Sequence, residues 1–320
     1  MNKLLIRILI FLIPIFLVSF GMEIFLRFAG NSYLLKSQQL IKNLNKIEVL
    51  FLGNSHAAYG INPTVFDLNS FNLAQVNQSI YFDKRITKKS LDQLNKLKYV
   101  FISVDYHSFY FSSQGIRNQW SYYSNKVRYK HENDYLAQNS YLIGFTPKLA
   151  FTSCYEYFNK KKYNNKYFAL DMQPGGNVNK AIEKGWFSFE GTNQDAMNYD
   201  SFSIRVKGFN SLILSSTEKK EIFSDLDNFI KILKNKNITP ILFTSPCYSE
   251  YNQLLDKKIL NQNKKDIEFL TNKYKIEYWN YLELSLHQSD YYNCDHLNIF
   301  GATKFSKILN ERLNKLSNKN

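Results

Sequence analysis

IEVLFLGNSH, from Ile47 to His56, opens with a short apolar run that Gly53 closes. That is the pattern of a strand buried on both faces and ending in a turn. FNLA (Phe71 to Ala74) is a second, shorter strand candidate, and YVFISVD (Tyr99 to Asp105), TPILFTS (Thr239 to Ser245) and IEYWNY (Ile276 to Tyr281) follow. Helical segments lie between them. Gln78 to Leu97 reads as a helix feeding the third strand. From Thr217 a helix carries Ile222, Leu226, Phe229, Ile230 and Leu233, spaced 4, 3, 1 and 3, which marks one buried face. Another helix is expected over about Gln253 to Lys273, and the last one sets Phe305, Ile308, Leu309, Leu313 and Leu316 on one stripe. This alternation implies an α/β domain: a parallel sheet, helices on both faces, right-handed crossovers. Catalytic loops in such folds gather at the carboxyl ends of the strands.

The stretch from about 106 to 216 interrupts that rhythm and is too long for a loop. It is crowded with Trp120, Tyr122, Tyr123, Tyr129, Tyr155, Tyr157, Phe158, Trp186, Phe187 and Phe189 among Asn, Gln and Lys. It reads as an insertion after the third strand. Its aromatics either form a small core of their own or line a groove in which their faces stack on sugar rings.

The chain has 320 residues, 44% hydrophobic and 21% charged, enough for a large core and unlike a disordered chain or a coiled coil. Its three cysteines (Cys154, Cys247, Cys294) are too few for a disulfide scaffold and lack metal-ligand spacing. Free thiols are expected. A net charge of +14 suits an anionic surface or polymer, yet no zinc-finger, helix-turn-helix or RNA-binding signature is present, so nucleic acid is not an expected partner. There is no Gly-rich phosphate loop and no HExxH, and neither a metal nor a cofactor is expected. ILIFLIPIFLVSFGM, Ile8 to Met22, carries no charge, and Leu4 to Ile6 extend it past Arg7. Crossing the hydrocarbon core takes about 20 helical residues, Arg7 can snorkel, and Pro14 is tolerated in a membrane helix. A cleaved signal peptide would need a small-x-small site, but Phe28 stands at the third position before Gly30. Residues 1–30 therefore read as an uncleaved single-pass anchor. Lys3 and Arg7 place its N-terminus in the cytosol and residues 31–320 outside, in the periplasm or at the cell surface.

Ser55 follows the first strand and its Gly53-Asn54 turn. A serine there puts its hydroxyl at the sheet's carboxyl edge and leaves its own N–H for an oxyanion. The plainer alternative is that Asn54 and Ser55 only end the strand and cap the next segment. His296 lies in DYYNCDHLNIFGATKF, just before the final helix. Of His56, His107, His131, His287 and His296, it alone sits in so compact a loop of acids and a histidine. A nucleophilic serine needs such a base, and the base needs a third group to orient it.

At these residues the sequence resembles the SGNH (GDSL-like) hydrolases, in particular their membrane-anchored branch found with cell-envelope polysaccharide and O-acylation systems. The likeness covers about residues 47–105 and 217–316, with GNSH (Gly53 to His56) as the first block and DHLNIFGA (Asp295 to Ala302) as the last. ITPILFTSPCYSEY (Ile238 to Tyr251) resembles the strand and loop usual before that last block. The resemblance implies a three-layer, flavodoxin-like α/β hydrolase fold with Ser55 as nucleophile and His296 as base. The family's acid, three residues before the histidine, is here Asn293, so Asp295 is the expected third member. A backbone carbonyl or Asp290, six residues before, is the alternative. Asn77 in NLAQVNQS is the nearest match to the family's second-block Gly and, with Asn54, is expected at the oxyanion or substrate. The third-block Asn has no clear counterpart in SVDYHSF, where Ser108 or His107 could substitute.

The implied function is a membrane-anchored, exported serine esterase or O-acyltransferase acting on acylated cell-envelope glycans through an acyl-serine. Its expected partners are that ester substrate, the membrane and a membrane-embedded acyltransferase. The alternative is an inactive relative that binds or assembles glycans.

Overall fold

The computed structural model describes residues 3–28, 32–112 and 183–318, together with 127, 139–144, 148, 151–152 and 154–155. The chain forms two compact units, Met1–Leu34 with Gly115–Pro174, and Leu35–Gln114 with Gly175–Asn320. Of the stretch 106–216, residues up to 114 and from 175 onward thus belong to the unit that holds the sheet. Trp120, Tyr122, Tyr123, Tyr129, His131, Tyr157 and Phe158 lie outside the described residues.

In the first unit α1 (Lys3–Phe28) is a helix of 26 residues with Pro14 inside it. At 1.5 Å per residue it is about 39 Å long, and it is apolar and long enough to cross a membrane. Its last turns are polar: Glu23 accepts hydrogen bonds from Ser140 Oγ and the Leu142 N–H, and Arg27 donates to the Asn139 carbonyl.

The second unit, entered along α2 (Ser32–Ile41), is built on β1 (Val49–Leu52), α3 (Ser55–Gly60), β2 (Ser70–Asn72), α4 (Ile80–Ser90) and β3 (Tyr99–Ser103). It continues with α5 (Tyr199–Ser215), α6 (Lys219–Asn235), β4 (Thr239–Thr244), α7 (Ser249–Gln253), α8 (Lys257–Tyr274) and β5 (Glu277–Asn280). A hairpin of β6 (Tyr291–Asn293) and β7 (His296–Leu297) precedes α9 (Ile299–Ser317). The main sheet runs β2-β1-β3-β4-β5 with every pairing parallel. That is the doubly wound, flavodoxin-like order, and the direction in which successive strands are added reverses between β1 and β3.

All four residues of β1 are fully enclosed, as an apolar run covered on both faces requires. Val49 and Phe51 face a core with Phe101, Phe243, Trp279 and the α9 residues Phe305, Leu309 and Leu313. Leu50 and Leu52 alternate to the other face, where α6 packs against α4, α8 and β4. The five α6 residues from Ile222 to Leu233 are all buried there. The helix expected over about Gln253 to Lys273 runs from Lys257 to Tyr274, because Asp256 caps its start by accepting from the N–H groups of Lys258 and Ile259; the short α7 ends just before it. The helix expected over Gln78 to Leu97 stops at Ser90 and passes into a single 3₁₀ turn.

Beneath the end of β1, Asp83 of α4 is wholly buried. It accepts from the Gly53 N–H (3.1 Å) and from Gln78 Nε2 (2.5 Å), while its Oδ2 has no partner among the described residues. Burial pushes its carboxyl up to about 7. The fold thus holds this proton to about pH 7, whereas the unfolded chain releases it near 3.8. The site's stability is complete below that lower value and is lost as pH rises through the upper one, on the order of 4 kcal/mol by about pH 8. Asp83→Asn cannot ionise and keeps the acceptor for Gly53. The Tm difference between this variant and the wild type should move in the variant's favour by roughly 5–10 °C from about pH 5 to about pH 8. Parallel melting curves across that range would show Asp83 to be ionised in the fold.

Candidate active site

Gly53 ends β1 with φ +133°, and a side chain there would overlap Ser103 Cβ on the neighbouring β3. Only glycine permits both that backbone and that approach. Asn54 then caps α3, its Oδ1 accepting from the His56 N–H at 2.9 Å, and Ser55 becomes the first helical residue. Ser55 is half-buried. It sits at the carboxyl edge of β1, beside the point where the direction of strand addition reverses. As a first-turn residue its N–H has no acceptor within the helix.

His296 comes from the β6–β7 hairpin, opposite Asn293 in the register. Its Nε2 lies 2.8 Å from Ser55 Oγ across 241 residues of sequence. Its Nδ1 has two oxygens at 2.9 Å, Asn293 Oδ1 in hydrogen-bond alignment and Asp295 Oδ1 as an ion-pair contact. Asn293 Oδ1 also accepts from the backbone N–H groups of His296 (2.9 Å) and Asp295 (3.3 Å), which identifies that atom as the oxygen. Nδ1 must therefore carry the proton, and Nε2 presents its lone pair to the serine hydroxyl. Asn293 holds Nδ1 in hydrogen-bond alignment, and Asp295 places a charge beside it. Asp290 is occupied elsewhere, paired with Lys304 at 2.8 Å and accepting from the His287 N–H.

The Asp295 side chain has no solvent exposure and touches Arg205 Nε (2.5 Å) and His56 Nε2 (3.3 Å) as well as His296. Burial opposes its charge, but His296 and Arg205 hold the carboxyl well below the usual range. His296 itself is lowered, because burial outweighs the attraction of Asp295 and the cations at Arg205 and His56 add to the effect. A neutral imidazole beside an ionised carboxylate is the state a general base needs.

Behind this pair lies a buried polar chain. His56, 3.4 Å from Asp105 and 3.3 Å from Asp295, would be lowered by burial, but the two carboxylates raise it to about 9. Asp105 also accepts from Ser103 Oγ, Asn54 Nδ2 and the Ser245 N–H. His107, stacked between Phe111 and Phe209, is pushed down to about 3 by burial and by His56. Asn54, expected at the oxyanion, commits its amide to the His56 N–H and to Asp105. Ser108 caps the Asp105 N–H, and His107 lies 3.3 Å from the Asn54 amide. Asn77 is exposed with φ 55°, the left-handed conformation glycine favours. Its loop is tied to the serine turn by the Gln75 N–H donating to the Gly53 carbonyl. His56, Asp295 and His296 come close enough to frame a cation. Asp295 and His296 engage each other, Ser55, Asn293 and the Arg205 cation, while His56 Nδ1 lies 3.4 Å from Asp105 without a hydrogen bond among the described residues. Cys247 and Cys294 are buried free thiols, both pushed upward by burial.

Aromatic rings wall the pair. Tyr59 meets His296 edge-on at 5.6 Å, and Phe189 stacks on Tyr292 at 3.6 Å. Phe189 is held by its carbonyl accepting from the Ile299 N–H. Trp186 is half-buried, packs on the core and donates Nε1 to the Tyr59 carbonyl. Sequence reading missed Arg205, Asp105 and the Phe189–Tyr292 stack. Only the aromatic crowding of the inserted stretch hinted at the last.

No protein-family model and no curated protein matches the chain. Among solved structures it is similar to a candidate acylhydrolase from Bacteroides fragilis, at 10% identity and a TM-score of 0.39 over 87% of this chain and 96% of that one. A GDSL-like lipase from Bacteroides thetaiotaomicron gives 10% identity and a TM-score of 0.40 over 87% and 97%. The strand order and the serine–histidine pair are seen in this chain independently of those likenesses.

Proposed function

We propose that the chain is a membrane-anchored serine esterase or O-acyltransferase of the SGNH type, working outside the cytoplasm on acylated envelope glycans. The observation that carries the reading is the 2.8 Å contact of Ser55 Oγ with His296 Nε2, with Nδ1 held from the other side by Asn293 and Asp295. Ser55 attacks the ester carbonyl while His296 takes its proton. On this reading the oxyanion is held by the N–H of Ser55 and by a donor from the turn at Asn77. The tetrahedral intermediate collapses, His296 returns the proton to the leaving alcohol, and an acyl-Ser55 remains. Water or a sugar hydroxyl, deprotonated by His296, then releases the acyl group. The apolar α1 supports the anchor, and the half-buried Phe189–Tyr292 stack supports a ring-shaped substrate.

A charged, membrane-impermeant fluorophosphonate added to protoplasts or spheroplasts making the full chain tests the chemistry and the orientation together. Peptide mapping should find the label on Ser55, with the intact chain retained in the membrane pellet. Labelling only after lysis would reverse the orientation. No label under either condition at any pH would leave the inactive glycan-binding reading.

A further inference from the structure

The carboxylate of Asp295 divides its two oxygens. Oδ1 lies 2.9 Å from His296 Nδ1, whereas Oδ2 takes Arg205 Nε at 2.5 Å and His56 Nε2 at 3.3 Å. Asp295 sits in the two-residue link of a short hairpin, where a side chain has no regular element to fix its rotamer. It is held instead from outside the hairpin, by a residue 90 positions earlier. Arg205 is well placed for this. It rides on α5, which Asn198 caps and whose Phe202 and Val206 are buried, and its guanidinium lies 5.3 Å from the Phe209 ring. It is also 36% exposed, so it keeps its charge without the full penalty of burial.

We propose that Arg205 is a positioning residue: it grips Oδ2 of Asp295 so that Oδ1 stays on His296 while Ser55 reacts. The inference rests on the esterase reading above and adds a residue to it. Arg205 touches neither Ser55 nor His296; it acts through Asp295.

Two consequences separate this role from ordinary packing. Losing the grip lets the carboxylate turn away, and misplacement by about 1 Å near a reacting pair costs on the order of 10²-fold in rate. Losing the cation also changes the field at His296. That ring is faced by Asp295 and Asn293 on its own hairpin, by Ser55, His56 and Tyr59 on α3, and by Phe189 at its side. Burial first, and then Arg205 and His56, act to keep it neutral. If Asp295 stayed in place without Arg205 the proton would be held to higher pH, but a carboxylate that turns away removes the larger attraction, and the proton then leaves at lower pH.

The test uses the full chain in detergent micelles, with kcat/KM for p-nitrophenyl acetate measured against pH and the His296 ring followed by NMR after histidine labelling. Arg205→Met, similar in length and uncharged, should lose about 10²-fold in kcat/KM and move the acid limb to lower pH as Asp295 leaves His296, and the NMR titration of His296 should move the same way. Arg205→Lys keeps the charge without the Nε contact, so it should lose rate and move the His296 titration to lower pH as well, whereas a purely electrostatic role would leave both in place. An Arg205→Met protein with unchanged rate and unchanged His296 titration overturns the inference. If that variant fails to fold, Arg205→Lys decides, and wild-type turnover from it overturns the inference equally. A wild-type chain without esterase activity would defeat the functional reading, yet the NMR shift would still report the coupling of Arg205 to His296.

Discussion

Ser55→Ala is expected to lower ester hydrolysis by a factor on the order of 10⁶ while leaving the fold in place. The loss is large because the hydroxyl is the bond-forming atom and nothing else near His296 can replace it. Cys247 and Cys294 are buried thiols held protonated by their surroundings. Stability should hardly change. Ser55 is half-buried, and among the described residues its hydroxyl hydrogen-bonds His296 Nε2 rather than supporting the helix cap, which Asn54 supplies. His296→Gln should match the loss in turnover, and the double variant should be no worse than either, since the two groups act as a unit. Additive losses would mean that serine and histidine serve separate steps. The readout is kcat/KM on a small ester, with Tm measured alongside to separate chemistry from folding.

Asp295→Asn should cost on the order of 10⁴ in kcat, far more than Asn293→Ala. An amide at 295 can still accept a hydrogen bond but cannot offset the imidazolium that forms as Ser55 attacks. It also leaves the Arg205 cation without its counter-charge. Asn293→Ala keeps that carboxylate 2.9 Å from Nδ1 and loses only alignment, together with the acceptor for two backbone N–H groups. Its penalty should fall partly on Tm. Equal, small effects from both substitutions would make Asp295 a structural counter-ion for Arg205 and His56, with no part in the reaction.

The sheet was readable because a strand covered on both faces leaves a local mark: an apolar run such as Val49 to Leu52, closed by a glycine. The same holds for α6 and α9, whose buried residues recur at helical spacing. Element ends were less readable. The helix expected from about Gln253 starts only at Lys257, and the cap geometry at Asp256 is what shows it. α5 went unread because its buried residues, Phe202, Val206 and Ile213, are too sparse to draw a stripe.

At the site, the sequence by itself determined that a serine follows the first strand and that a histidine precedes the last helix. Both are properties of short segments, set by turn chemistry and by the order of elements. It also made Asp295 a candidate by adjacency to His296. Only the tertiary structure decided how the third role is filled. Asn293 and Asp295 reach Nδ1 together because the β6–β7 hairpin folds both onto one edge of the ring. Arg205 meets Asp295 because α5 lays it there from 90 residues away, and His56 spans Asp105 and Asp295 from 49 and 239 residues away. Charges that meet in a buried pocket leave no spacing or periodicity along the chain. Their partners are chosen by the need to neutralise a carboxylate removed from water, and that need exists only once the chain has closed around it.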